Sequence, residues 1–193
     1  MEKIAIFASG NGSNAENLIR HFNQTEGGVA EVSVVLTNNS KAGVIGRAER
    51  LGVPVVVFEK KQLIETDEVM KCLRRRGVTF IVLSGFLLRM PEEIVSSFEH
   101  RMVNIHPSLL PKFGGKGMYG HRVHEAVIAA GEKVTGITIH YVNSYLDDGE
   151  ITLQKTVEVT ADDTAESVEA KIHALEMEWF PREVERLICE RRV

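Results

Sequence analysis

Ile4-Ala5-Ile6-Phe7-Ala8 runs into Ser9-Gly10-Asn11-Gly12-Ser13-Asn14-Ala15, and Leu18, Ile19 and Phe22 then recur at helical spacing. This reads as a strand over 3–8, a glycine-rich turn, and a helix over 16–22, the repeating unit of an α/β fold. Glycines let backbone N–H groups close on an anion, and the helix N-terminus adds partial positive charge, so the turn is a candidate phosphate site. The same letters satisfy G-x-G-x-x-A, the dinucleotide fingerprint, which asks for Asp or Glu about 20 residues later to hold a ribose. The next apolar strand, Val32-Ser33-Val34-Val35-Leu36, ends in Thr37-Asn38-Asn39 instead. A monophosphate is therefore favoured over NAD. A tight turn that needs glycine only for its backbone angles is the remaining alternative.

Outward from this unit the rhythm repeats. A helix over 42–51 closes at Gly52, a strand follows over 53–58, and a helix over 66–76 ends in Arg74-Arg75-Arg76, where cations suit the helix dipole. The run 79–84 is almost wholly apolar, as a parallel strand covered on both faces requires. Gly85-Phe86-Leu87-Leu88-Arg89-Met90 leaves its carboxyl end, a position for ligand contact or for plain packing, and Pro91 opens a short helix. A strand at 101–104, a helix over 121–130 and a long strand over 134–142 come next, the last expected to carry His140 outward from its apolar neighbours. The strand over 150–159 alternates and pairs across a polar turn as an antiparallel hairpin. Asp163, with Glu166 three residues on, has the form of an N-cap for a helix that runs through Trp179 and is kinked or broken at Pro181. The expected fold is an α/β, Rossmann-like open twisted sheet, mostly parallel with an antiparallel part towards the C-terminus and helices on both faces, forming one domain over 1–193.

The 193 residues carry a formal charge of −4, which argues against nucleic acid as the main partner. No apolar run approaches the roughly 18 residues of a membrane span, and the first apolar segment is short for a signal peptide. A cytoplasmic address is the expectation. Cys72 and Cys189 lie far apart without zinc spacing and read as reduced thiols.

Chemistry concentrates in Asn104-Ile105-His106-Pro107-Ser108-Leu109-Leu110-Pro111. In an extended chain residues i and i+2 share a face, so Asn104 and His106 project together from a strand end. An amide donor beside an imidazole suits an oxyanion and a moving proton; capping of a turn is the alternative. Four glycines between Lys112 and Gly120 suit a mobile cover over a substrate, or an inert surface loop. His121 and His124, with His106 and His140, raise a zinc site, but no carboxylate or cysteine joins them at a recognised spacing.

SGNGSN at 9–14, NIHPSLLP at 104–111 and TGITIHYVNSYLDDGEI at 135–151 follow one another in the order and spacing of the folate-dependent formyltransferases, which the sequence resembles along nearly its whole length. The resemblance implies that 10-formyltetrahydrofolate, as co-substrate, gives its formyl group to the primary amine of glycinamide ribonucleotide in purine synthesis, without a metal. It assigns Asn104, His106 and Asp147 as the catalytic set, Gly12-Ser13-Asn14 as the phosphate cradle, and Glu176 as the carboxylate for the ribose. Asp147 is chosen over Asp148 because it follows Leu146 in the family's LD pattern. Leu87, Leu88 and Arg89, with Asn104 and His140, are expected on the folate side. Three departures stand out. The folate-loop arginine is displaced by one position at Arg89, the family arginine after the third strand has no match, leaving Lys60 or Lys61 as substitutes, and the loop 114–119 is longer. Methionyl-tRNA formyltransferase adds a basic C-terminal domain and formyltetrahydrofolate hydrolase usually carries an extra domain ahead of the catalytic one; a non-catalytic nucleotide-binding module is the alternative outside enzymes. Monomer and homodimer both remain open.

Overall fold

The computed structural model describes residues 1–24 and 27–191. Seven strands form one sheet in the order β3-β2-β1-β4-β5-β6-β7: β1 (Glu2–Phe7), β2 (Ala30–Thr37), β3 (Val55–Val57), β4 (Phe80–Ser84), β5 (Met102–His106), β6 (Val134–Tyr141) and β7 (Ile151–Glu158). The first five are parallel, and β6 and β7 add to β5 as an antiparallel pair. The helices are α1 (Ser13–Asn23), α2 (Val44–Arg50), α3 (Lys60–Ile64), α4 (Glu68–Arg75), α5 (Glu92–Ser97), α6 (His121–Ala129) and α7 (Ala165–Glu190).

Alternation along β1 divides the core. Ile4 and Ile6 face one layer with Leu18 and Ile19 of α1, Val44 of α2, Val127 of α6, and Ile172 and Phe180 of α7. Ala5 and Phe7 face the other with Leu63 of α3, Met70 and Leu73 of α4, and Ile94 of α5. Helices on both faces explain why β1 over 4–7 and β4 over 80–83 are apolar at every position, whereas β7, at the sheet edge, alternates between exposed and half-buried residues. The strand order reverses at β1: β2 lies on one side of it and β4 on the other. In a parallel sheet the connections after two such strands part in opposite directions and leave a crevice at their carboxyl ends.

The expected elements are present, with differences at their ends. The short α3 has too few residues to display a helical period; a reciprocal bond pair between Glu59 and Gln62 caps it. α7 is capped by Thr164 rather than Asp163, since the Ser167 N–H donates to Thr164 Oγ1 at 3.3 Å and Ser167 Oγ accepts from the Thr164 N–H at 2.9 Å. Asp163 instead accepts from Lys171 Nζ at 2.6 Å, and this ammonium, with the Ser167 hydroxyl, holds its carboxyl well below the usual range. Pro181 does not break α7. A proline leaves the carbonyl four residues back without its helical donor, here that of Met177, and Asn17 Nδ2 of α1 supplies one at 2.8 Å.

Candidate active site

β5 extends through His106, so Asn104 and His106 both lie on the strand and share the face opposite Ile105, which enters the core layer of Ile4 and Ile6. Asn104 is paired across the ladder with His140 of β6. His140 is not turned outward: it is 2% exposed, with Nδ1 2.8 Å from the Tyr141 carbonyl and Nε2 3.1 Å from Asn104 Nδ2. A carbonyl only accepts, so Nδ1 carries the proton and Nε2 accepts from the Asn104 amide. Burial pushes the pKa of His140 down and keeps this neutral tautomer.

His106 is buried, and its Nε2–H donates to the Phe113 carbonyl at 2.7 Å. Its Nδ1 lies 3.6 Å from Asp147 Oδ2. Both ring nitrogens thus face acceptors, the pattern that a doubly protonated ring satisfies. Asp147 stands in the turn between β6 and β7 at φ 52, a left-handed conformation that Asp and Asn tolerate better than other side chains. Its Oδ2 accepts from the Gly115 N–H at 2.9 Å, and its Oδ1 lies 3.9 Å from His140 Nε2. The turn is drawn tight at Gly149, where a Cβ would fall 1.7 Å from the Tyr141 carbonyl oxygen. Asp148 Oδ2 is 3.4 Å from Asn143 Nδ2 within the turn, away from the pair of histidines that Asp147 faces.

After β1, Gly12 takes φ 79 and hands the chain to α1, whose first-turn N–H groups have no carbonyl a turn behind them. A Cβ at Gly12 would lie 2.5 Å from the Val44 side chain, so the loop presses on α2 where only glycine fits. Asn14 Nδ2 donates to Glu176 Oε2 at 2.9 Å, while Asn14 Oδ1 is buried without a partner. Glu176 also raises the pKa of His173, whose Nδ1 is 3.8 Å from Oε2.

These groups line one cleft of about 1170 Å³ at the carboxyl ends of β1, β4 and β5. The start of α1 contributes Gly12, Ser13 and Asn14 with Glu176 of α7, β5 and the turn after β6 contribute Asn104, His106 and Asp147, and the apolar lining comes from Phe86, Leu87 and Leu146, with Met118 and Tyr119 from the glycine-rich loop. Of the residues expected on the folate side, Leu87 is more than half exposed and lines the cleft. Leu88 instead packs against the layer of Ala5 and Phe7, Arg89 Nη2 donates to the Ser144 carbonyl, and His140 stands behind Asn104. Lys60 and Lys61 belong to α3 outside the cleft, where Lys61 pairs with the exposed Glu59 at 3.2 Å. The cleft's cations are Arg20, Arg47 and Lys116. Arg47 was illegible from sequence because it comes from the second βα unit and reaches back to the first loop. His124 was also missed as a lining residue. It is buried with Nδ1 unpartnered, and burial lowers its pKa. Among the described residues no three His, Cys, Asp or Glu side chains converge as a metal site, and no helix is long and apolar enough to cross a membrane.

The formyl transferase family model matches residues 2–184. A chloroplastic phosphoribosylglycinamide formyltransferase of Vigna unguiculata is 41% identical over the full chain, and the chain spans 62% of that relative's length. The phosphoribosylglycinamide formyltransferase of Bacillus subtilis is 35% identical, with 97% of this chain and 95% of that protein covered. The crystal structure of the phosphoribosylglycinamide formyltransferase from Anaplasma phagocytophilum superposes with a TM-score of 0.88 at 36% identity, covering 97% of this chain and 86% of that one. With its fold and its sequence in agreement, this chain belongs to the formyl transferase family.

Proposed function

We propose that the chain transfers the formyl group of 10-formyltetrahydrofolate to the primary amine of glycinamide ribonucleotide, releasing tetrahydrofolate and formylglycinamide ribonucleotide in purine synthesis. The observation that carries this reading is one cleft lined together by the start of α1, by Asn104, His106 and Asp147, and by the apolar side chains of Phe86, Leu87 and Leu146. The nucleotide's phosphate suits the N–H groups of Gly12, Ser13 and Asn14, and a ribose diol suits Glu176. The folate ring system suits the apolar end beside Leu87 and Leu146.

The amine nitrogen attacks the formyl carbon, and the carbonyl π pair moves to oxygen as a tetrahedral oxyanion. Asn104 has a second amide N–H beyond the one given to His140, and with a protonated His106 it stabilises that oxygen. Asp147 balances the imidazolium charge. The nitrogen–carbon bond to N10 then breaks as the oxyanion collapses, and the proton lost by the attacking amine passes, through water held at Asp147, to N10. The balance closes without a further reactant. We place this activity in one continuous catalytic domain, acting on small molecules in the cytoplasm. The unpaired Cys72 and Cys189 fit a reducing compartment.

Formyl donor offered with glycinamide ribonucleotide, methionyl-tRNA or water alone separates the alternatives through the rate of tetrahydrofolate release. Release that requires the ribonucleotide is expected. Equal release with water alone would make the chain a hydrolase instead.

A further inference from the structure

Three of the charged residues at the phosphate end of the cleft, Glu16, Arg20 and Arg47, take no part in formyl transfer. Arg47 comes from α2 and reaches across to the loop that follows β1. Its Nε donates to the Asn11 carbonyl at 2.9 Å, its Nη2 to Asn11 Oδ1 at 3.1 Å, and its Nη1 to Glu16 Oε2. A guanidinium has five N–H donors in a rigid fork, so these bonds leave two of them uncommitted beside the cleft. Glu16 also accepts from Arg20, at 3.2 Å from Nε and 2.8 Å from Nη2, and Arg50 Nη2 lies 3.8 Å away. Arg20 and then Arg47 hold the Glu16 carboxyl below its ordinary pKa. Arg20, Arg47 and Arg50 set three guanidinium charges against the carboxylates of Glu16 and of Glu176, which is bonded to Asn14, and leave an excess of one positive charge at the first turn of α1, where the helix dipole has the same sign.

α2 shapes the loop by contact as well. The Val44 N–H donates to the Gly10 carbonyl at 3.2 Å, and the Val44 side chain occupies the space a Cβ would need at Gly12. Arg47 is the polar half of this support. It grips Asn11 at both backbone and side chain, immediately before Gly12, Ser13 and Asn14, which line the cleft.

We propose that Arg47 is the positioning residue of the phosphate end: it fixes Asn11 so that the loop takes a phosphate monoester dianion, and its charge, with that of Arg20, favours that ligand over an uncharged ribose. This rests on the reading of the cleft as the site of a phosphorylated amine.

The test compares wild type with Arg47→Ala and Arg47→Lys, using glycinamide ribonucleotide and the phosphate-free glycinamide riboside as acceptors, and measures ribose 5-phosphate binding by calorimetry. Loss of hydrogen bonds to a charged group predicts a KM for the ribonucleotide higher by about tenfold to a hundredfold in Arg47→Ala, with kcat and the KM for the folate changed little. Lysine restores only part of the loss, because an ammonium does not span both Asn11 oxygens. With the riboside, wild type and variants are expected to perform alike. An equal loss with both acceptors would make Arg47 a support of the fold alone, and an unchanged ribonucleotide KM would remove it from the site; either overturns the proposal. Should Arg47→Ala fail to fold, Arg47→Lys decides by the same comparison. If the wild type forms no formylated ribonucleotide, the reading of the cleft fails, and ribose 5-phosphate decides separately: weaker binding in Arg47→Lys supports the role of Arg47, and equal binding overturns it.

Discussion

His140 shows how a residue that never lines the cleft sets the one that does. Its Nδ1–H is committed to the Tyr141 carbonyl, so Nε2 has only a lone pair to offer, and the Asn104 amide must turn its nitrogen towards it. His140→Phe keeps the bulk and removes the acceptor. One hydrogen bond of net about 0.5–1.5 kcal/mol is then missing from the orientation of Asn104, and kcat is expected to fall by about twofold to tenfold with KM for both substrates nearly unchanged. Steady-state kinetics beside a near-ultraviolet dichroism spectrum check this, and unaltered kcat in a folded variant would detach His140 from the reaction.

The seam between α1 and α7 carries a second kind of constraint. Pro181 leaves the Met177 carbonyl without an intrahelical donor, and Asn17 provides one, one turn along α1 from the bond between Asn14 and Glu176. Asn17→Ala leaves that carbonyl unpaired and should cost about 1–2 kcal/mol, read from urea midpoints at constant m. In a Pro181→Ala background the helix regains its own N–H donor, so the same change should cost distinctly less; equal costs in both backgrounds would show that the Pro181 gap and Asn17 are unrelated. α6 and α7 are joined by His121, whose Nδ1 is 2.7 Å from Glu169 Oε2, and that carboxylate raises the pKa of the imidazole. A base with a raised folded pKa contributes stability that is fully present below its unfolded value, about 6.5, and lost as pH rises through the folded value. The stability difference between wild type and His121→Leu should therefore be present at pH 6 and vanish by pH 9. A difference that is the same at both values would contradict the ion pair.

Across the sheet as a unit, the parallel strands place three loops at one edge, and the cleft follows from where the order of strands reverses. Much of this was legible in the chain itself. The apolar run Ile4-Ala5-Ile6-Phe7-Ala8, the glycine turn before Ser13 and the alternate placing of Asn104 and His106 each reflect local rules of backbone geometry. What was not legible depends on contacts between distant segments. Arg47 and Asn17 act on loops or helices 36 and 160 residues away in sequence, and His140 was misread because the antiparallel pairing with β5 buries a face that an edge strand would leave open. Leu88 and Arg89 followed the family's folate loop in sequence, yet one turns into the core and the other to the turn at Ser144, because only one side of that loop borders the cleft. The proposed reaction depends on the joint action of Asn104, His106 and Asp147. The most direct measurement is kcat for ribonucleotide-dependent tetrahydrofolate release in Asn104→Ala and Asp147→Asn, the latter chosen because asparagine tolerates the left-handed backbone at that turn. Each variant is predicted to lose about 10²–10³ in kcat while remaining folded and binding both substrates within a few-fold of wild type. Turnover close to wild type in either one would contradict the assignment of the site.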